Sequence, residues 1–201
     1  MPALETVKKI AETITGWSRP TRGAARGLTR IRKGHTFHFP DDGFVPNHPH
    51  WPMIVYRSAV QFPEAFDPAS VLEQLFASHG WRRSWRDGVY DFVHYHSRIH
   101  EVLGVARGRG TVRFGGSRGR KLDLKAGDVA ILPAGTGHQR LVSSDDFLVV
   151  GAYPSTGTYD LCRRIEDRDK ALATIPKVAR PRTDPVFGNR GTLLTAWKKR
   201  R

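Results

Sequence analysis

Apolar residues recur along this chain at two different spacings, and the spacing changes with position. Leu4, Val7, Ile10, Ala11 and Ile14 fall three and four residues apart, which predicts an amphipathic helix over residues 3–15 closed by Gly16. The stretch that follows, TRGAARGLTRIRKG, carries glycines and arginines without an apolar period and reads as a linker. A second helix is signposted by Asp67 as N-cap, Pro68 at its first position, Val71, Leu72, Leu75 and Phe76 on one face, and Gly80 past its end. Elsewhere the apolar runs are short and broken by glycine, proline or aspartate. MIVYRSAV at 53–60 is the first, followed by strand-sized pieces at 81–86, 89–96, 101–107, 111–114, 121–124, 128–132, 138–142 and 146–153. That rhythm predicts an all-β sandwich or barrel with a few peripheral helices. A short helix is expected within 160–176, and PRTDPVFGNRG reads as an extended wrap ending at Trp197.

Length and cysteine content narrow the class. A chain of 201 residues with 39% hydrophobic positions supports one well-buried domain with extensions. The texture places that domain at 34–197, with a core barrel at about 52–153 and a C-terminal wrap at 154–197; residues 1–33 form a basic N-terminal helix and linker, and 198–201 a basic tail. Cys162 is the only cysteine, so no internal disulfide forms and its default role is packing. No stretch reaches the length of a membrane span, and Lys8 and Lys9 interrupt any signal-peptide core, so a soluble, cytoplasmic protein is expected.

Charge changes the picture at the ends only. Of the formal net +14, residues 1–33 and the terminal KKRR hold all but +4. Such tails can neutralise nucleic-acid phosphate, but the first reading is a solvated run, because no DNA-reading motif accompanies them. WRRSWRDG at 81–88 could stack bases between cations, yet it reads first as a strand ending in a turn at Asp87-Gly88.

Candidate chemistry concentrates in DFVHYHSRIHEVLGVARG, residues 91–108. Side chains two apart on a strand share a face, so His94 and His96 can chelate one ion while Tyr95 points away. Glu101 shares its face with Leu103 and Val105, and a carboxylate among apolar neighbours needs a partner. In GDVAILPAGTGH, two turns flank an apolar strand before His138, which can supply a fourth ligand. His100, directly before Glu101, faces the opposite way. His48 and His50 lie among Pro46, Pro49 and Pro52, which favour an exposed turn. His35 and His38, three apart, fall on opposite faces, and His79 suits a helix C-terminus. Alternation from His94 and His138 nominates Tyr90, Phe92, Arg140 and Val142 as pocket lining, with Arg140 able to clamp a carboxylate.

These two stretches resemble the paired motifs of the cupin superfamily. The pattern G-x5-H-x-H-x4-E-x6-G is met by Gly88, His94, His96, Glu101 and Gly108; the pattern G-x5-P-x-G-x2-H-x3-N is met by Gly127, Pro133, Gly135 and His138, with Val142 where asparagine is usual. FHFPDDGFVPNHP, LPAGTGH, DDFLVVGAYP and DPVFG extend the likeness to the YjlB-type cupins over residues 35–197. The resemblance implies a double-stranded β-helix, a small jelly-roll barrel, with one divalent metal ion (iron, manganese, nickel, cobalt or zinc) held by His94, His96, Glu101 and His138. It implies frequent homodimers and no settled reaction. Two functions are expected in order: a metal-dependent enzyme of dioxygenase, isomerase or decarboxylase type acting on a small oxygen-bearing molecule, anionic ones included; then a non-catalytic module that binds or senses a small-molecule ligand while its basic tails contact a polyanion. A dimer building block with a vestigial cavity is the third.

Overall fold

The computed structural model describes residues 17–198; the expected helix over 3–15 and all but the first residue of the KKRR tail lie outside the described residues. In chain order the elements are α1 (Arg22–Gly27), β1 (His35–Phe37), β2 (Met53–Tyr56), α2 (Pro68–Ser78), β3 (Trp81–Asp87), β4 (Glu101–Arg107), β5 (Arg109–Phe114), β6 (Arg120–Lys125), β7 (Val129–Leu132), β8 (His138–Ser143), β9 (Leu148–Pro154), α3 (Arg168–Thr174) and α4 (Thr192–Ala196). The strands form two sheets, of order β1-β2-β7-β4-β9-β3 and β6-β5-β8, with every named pairing antiparallel. No described helix is long and apolar enough to cross a membrane.

The central strands of the large sheet are buried on both faces, and β4 shows why its sequence reads as a nearly continuous apolar run. Leu103 and Val105 point into the barrel with Met53, Val55, Ala130, Val112 and Phe114. Val102 and Ala106 point outward, under Val71, Leu72, Leu75 and Phe76 of α2. Asp67 caps α2 as expected, its carboxylate accepting from the Ala69 and Ser70 amides. Arg86, on the outward face of β3, ties the same helix down through Glu73 at 2.8 Å and Asp67 at 2.7 Å.

Three segments differ from their sequence reading. Residues 21–34 are not a bare linker: Thr21 caps α1 by accepting from the Ala24 amide, and Ala25 is fully buried against the α2 core. One small buried residue is too little apolar period to betray a six-residue helix. Residues 53–60 stop being a strand at Tyr56, because Ser58 turns to donate its amide to the buried Asp128 carboxylate at 2.7 Å. Residues 89–96 form no full strand; bends at Asp91 and Phe92 leave isolated bridges at His94 and Tyr95.

Gly151 of β9 marks a close approach that matters for the site. A Cβ there would run into the indole of Trp85, its partner on β3. Gly151→Ala is therefore expected to lower stability by about 1–3 kcal/mol through overpacking, read by denaturant unfolding, with a change in Trp85 emission accompanying it.

Candidate metal centre

The His94–His96 segment is threaded between two others. His94 pairs with His138 in a backbone bridge, 2.9 and 3.2 Å, at the start of β8. Tyr95 pairs with Cys162 through two 3.0 Å bonds on the far side. This extended stub sends His94 and His96 inward and Tyr95 outward, into a small cluster with Val45, Ala134, Cys162 and Ile175. Gly135, at φ +88, closes the turn before His138 and donates its amide to the His96 carbonyl at 2.7 Å. A Cβ at Gly135 would meet Ile175 and the Asn47 backbone, which explains why glycine stands in that motif position.

His94, His96 and His138 come together, each offering one ring nitrogen within 4.8 Å of the others, all buried. Their other nitrogens are already engaged. Nδ1 of His94 contacts the Phe92 carbonyl at 3.1 Å, Nδ1 of His138 the Thr136 carbonyl at 3.1 Å, and Nδ1 of His96 the Asp160 carbonyl. A carbonyl oxygen only accepts, so each Nδ1 carries a proton, and a ring in its neutral form presents the Nε2 lone pair to the centre. Glu101 joins them from β4: its Oε2 lies 3.4 Å from Nε2 of both His96 and His138. That oxygen is buried and accepts no hydrogen bond.

Three lone pairs and a carboxylate facing one point repel unless a positive charge sits among them. Burial holds His94 neutral, pushed down to about 2 with His138 adding to the effect. Burial also opposes ionisation of Glu101, yet His96 and His138 hold the carboxylate well below the usual range. For His96, burial is outweighed by the charge of Glu101 and by the Asp160 carbonyl, which raise it. A proton on His96 and a divalent cation answer the same electrostatic demand, and the nitrogen and oxygen donors suit the cation.

A cavity of about 370 Å³ opens above the cluster, lined by Trp85, Val89, Tyr90, Leu103, Tyr153 and Tyr159 together with the three histidines and Glu101. Tyr90 therefore faces the cavity. Phe92 instead stacks on Tyr90 at 4.8 Å and is not among the lining residues. Arg140 is a correction too: its Nε donates to the Val89 carbonyl at 3.0 Å, and it is not among the residues that line the cavity. Opposite β5, Arg140 pairs with Val112 and keeps the register of His138, but its side chain is held by the Val89 carbonyl; a bulge beyond it pairs Val142 with Thr111, so the inward alternation breaks between Arg140 and Val142. Val142 ends 61% exposed, away from the centre, so the missing motif asparagine alters nothing that faces the cluster.

Other residues near the site escaped the sequence reading. Tyr153 lies beside Glu101, and burial together with that carboxylate raises its hydroxyl. Trp85 Nε1 donates to the Tyr153 hydroxyl at 3.0 Å. Asp160 clamps the turn after His96, its carboxylate accepting from the Ser97 amide at 3.0 Å and hydroxyl at 2.6 Å. Tyr153 had a signal, lying two residues from Gly151 on an alternating strand; Asp160 and Tyr159 had none. Among the remaining histidines, His48 is a correction: it is buried rather than exposed, stacking on Trp51 at 4.5 Å, while His50 stays exposed. His100 faces away from the cluster and is fully buried, accepting from the Ala134 amide through Nδ1 and contacting the Ala179 carbonyl through Nε2.

Two antiparallel sheets closed around a packed interior, with a His-x-His, a glutamate and a third histidine meeting at one end, define a cupin barrel. The chain belongs to the family of YjlB of Bacillus subtilis (strain 168), a protein described as uncharacterised, to which it is 40% identical over 169 residues, 84% of this chain and 99% of that one. No family model matches. Solved structures similar to parts of the chain include acireductone dioxygenase from Bacillus anthracis with a cadmium ion in its active centre, 17% identical, covering 43% of this chain and 59% of that one at a TM-score of 0.32. Another is a single-site variant of oxalate decarboxylase from Bacillus subtilis, 18% identical, covering 65% of this chain and 31% of that one at 0.35. The chain spans less than two thirds of the length of either.

Proposed function

We propose that His94, His96, His138 and Glu101 bind one divalent transition metal and that this centre makes the protein a metal-dependent enzyme acting on a small oxygen-bearing molecule. The observation that carries the reading is the commitment of all three Nδ1 atoms to backbone carbonyls, which leaves three Nε2 lone pairs facing an unpartnered carboxylate oxygen. A centre of three neutral imidazoles, one carboxylate and a divalent ion carries a net charge of about +1, and in octahedral geometry two positions remain for oxygen donors. Bound there, the ion would supply Lewis-acid or redox chemistry to a substrate oxygen. The chain's own residues do the rest. Glu101 and the imidazoles would fix the ion, Trp85 orients the Tyr153 hydroxyl beside Glu101, and the cavity walls shape the space above the cluster.

Elemental analysis of untagged protein tests the reading. About one equivalent of a transition metal per chain is expected at neutral pH, declining on acidification as protons compete for the imidazoles. Oxygen-consumption assays on the loaded protein then separate oxidation from isomerisation or decarboxylation. Absence of metal uptake, even on anaerobic addition, would sink the proposal.

A further inference from the structure

The charges around the cavity restrict what can enter it. Among the described residues Arg86 is the only arginine or lysine along its lining, and its guanidinium is turned outward and satisfied: Nε and Nη2 donate to Glu73 at 2.8 Å each, and Nη1 to Asp67 at 2.7 Å. Strand alternation requires this, since Trp85 on the inward face forces Arg86 to the α2 side. The arginines nearby are also engaged. Arg140 bonds the Val89 carbonyl, Arg83 lies over the Tyr153 ring while bonding the Pro154 carbonyl at 3.3 Å, Arg98 faces Asp160 and the Tyr159 carbonyl, and Arg163 lies over the Phe92 ring. At the mouth stands Asp87, exposed and negative.

Among the described residues, therefore, the cavity lining presents no unpaired cation to a substrate carboxylate or phosphate. What the cavity offers is aromatic surface. Trp85 and Tyr153 form the inner wall, while Tyr90, 47% exposed, and Tyr159, 44% exposed, flank the entrance. Tyr159 packs against the His96 ring at 5.0 Å and against Tyr153 at 5.7 Å, so the aromatic wall reaches down to the metal ligands. A cavity of about 150 Å³ accommodates a benzene-sized molecule, so the roughly 370 Å³ here holds a one- or two-ring body.

Resting on the metal-centre reading above, we propose that the substrate is a flat aromatic or conjugated molecule that meets the metal through a single phenolic or enolic oxygen and carries no further negative charge. The net positive charge of the loaded centre neutralises one oxyanion, the rings of Trp85, Tyr153 and Tyr159 pack against the body, and the tyrosine hydroxyls at the mouth meet neutral polar substituents. A second carboxylate would lie beside Asp87 without a partner. This replaces the sequence expectation of an anion clamped by Arg140.

Protein loaded with cobalt(II) and titrated with 4-nitrophenol and, separately, with succinate tests the inference by calorimetry and by the cobalt absorption bands. The phenol is expected to perturb the bands and to bind at least about tenfold more tightly than the aliphatic dianion. Trp85→Ala is expected to weaken the phenol about tenfold while cobalt stoichiometry stays at the wild-type value. Tyr159→Ala, at the half-exposed entrance, serves should the first variant unfold. Succinate binding as tightly as the phenol, or phenol affinity unchanged in a folded variant, would overturn the substrate class while leaving the metal centre standing. Failure to take up cobalt would overturn the metal-centre reading and this inference with it.

Discussion

His96→Ala is expected to lose its metal on purification while remaining folded. His96 faces Glu101 at 3.4 Å and belongs to the three-imidazole group, so its removal takes one of four donors and leaves Glu101 with a single histidine neighbour. Partners that merely orient a ligand are worth about 10–100-fold in affinity, and loss of a ligand itself exceeds that range. The fold survives because hydrophobic layers on both faces of the large sheet, rather than an ion, hold the barrel closed. Elemental analysis of the variant beside wild type checks the metal; circular dichroism checks the fold. Full metal content in His96→Ala would refute the site. His50→Ala, which alters an exposed ring, should keep the wild-type stoichiometry, and a loss there would mean that the other His-x-His pair binds the ion.

Asp184→Ala should produce the largest loss of stability. This fully buried carboxylate accepts from the Tyr56 hydroxyl at 2.6 Å and from the Val186, Phe187 and Leu193 amides at 2.9, 3.1 and 3.3 Å. The Tyr56 hydroxyl in turn accepts from the Thr192 amide at 2.6 Å, so one side chain fastens the C-terminal wrap to β2. Alanine would leave three amides and a hydroxyl unpaired in the core, costing about 3–5 kcal/mol. For a chain of this size that lowers the melting temperature by about 10 °C. Because Tyr56 lies on the outer face of the large sheet, opposite the cluster, metal per folded chain should be unchanged. A variant that melts with the wild type would mean that water satisfies these groups and that the wrap is held by Trp197 and its neighbours instead.

The part of the site carried by local spacing was legible before any tertiary contact was known. Two residues apart on extended chain means one face, so His94 and His96 converge and Tyr95 does not; one apart means opposite faces, so Glu101 enters the barrel and His100 leaves it. The cap, first-turn proline and apolar face of α2 were equally local, and each stands where its residues place it.

What distance along the chain conceals, only the folded structure decided. His48 looked exposed among prolines, but Trp51 covers its ring, and Trp51 in turn stacks at 5.4 Å on Trp197, near the far end of the chain. Counting from His138 placed both Arg140 and Val142 inward, but the Val89 carbonyl holds the Arg140 side chain and a bulge against β5 turns Val142 out of the count. Trp85, Tyr153, Tyr159 and Asp160 reach the cluster through strand register and loop closure. The sequence by itself determined which donors exist and which side of their own strand they take, because backbone periodicity is a property of neighbours. Tertiary structure decided which rings wall the cavity and which arginines are already engaged, because register, bulges and cross-sheet packing depend on residues far apart in the chain.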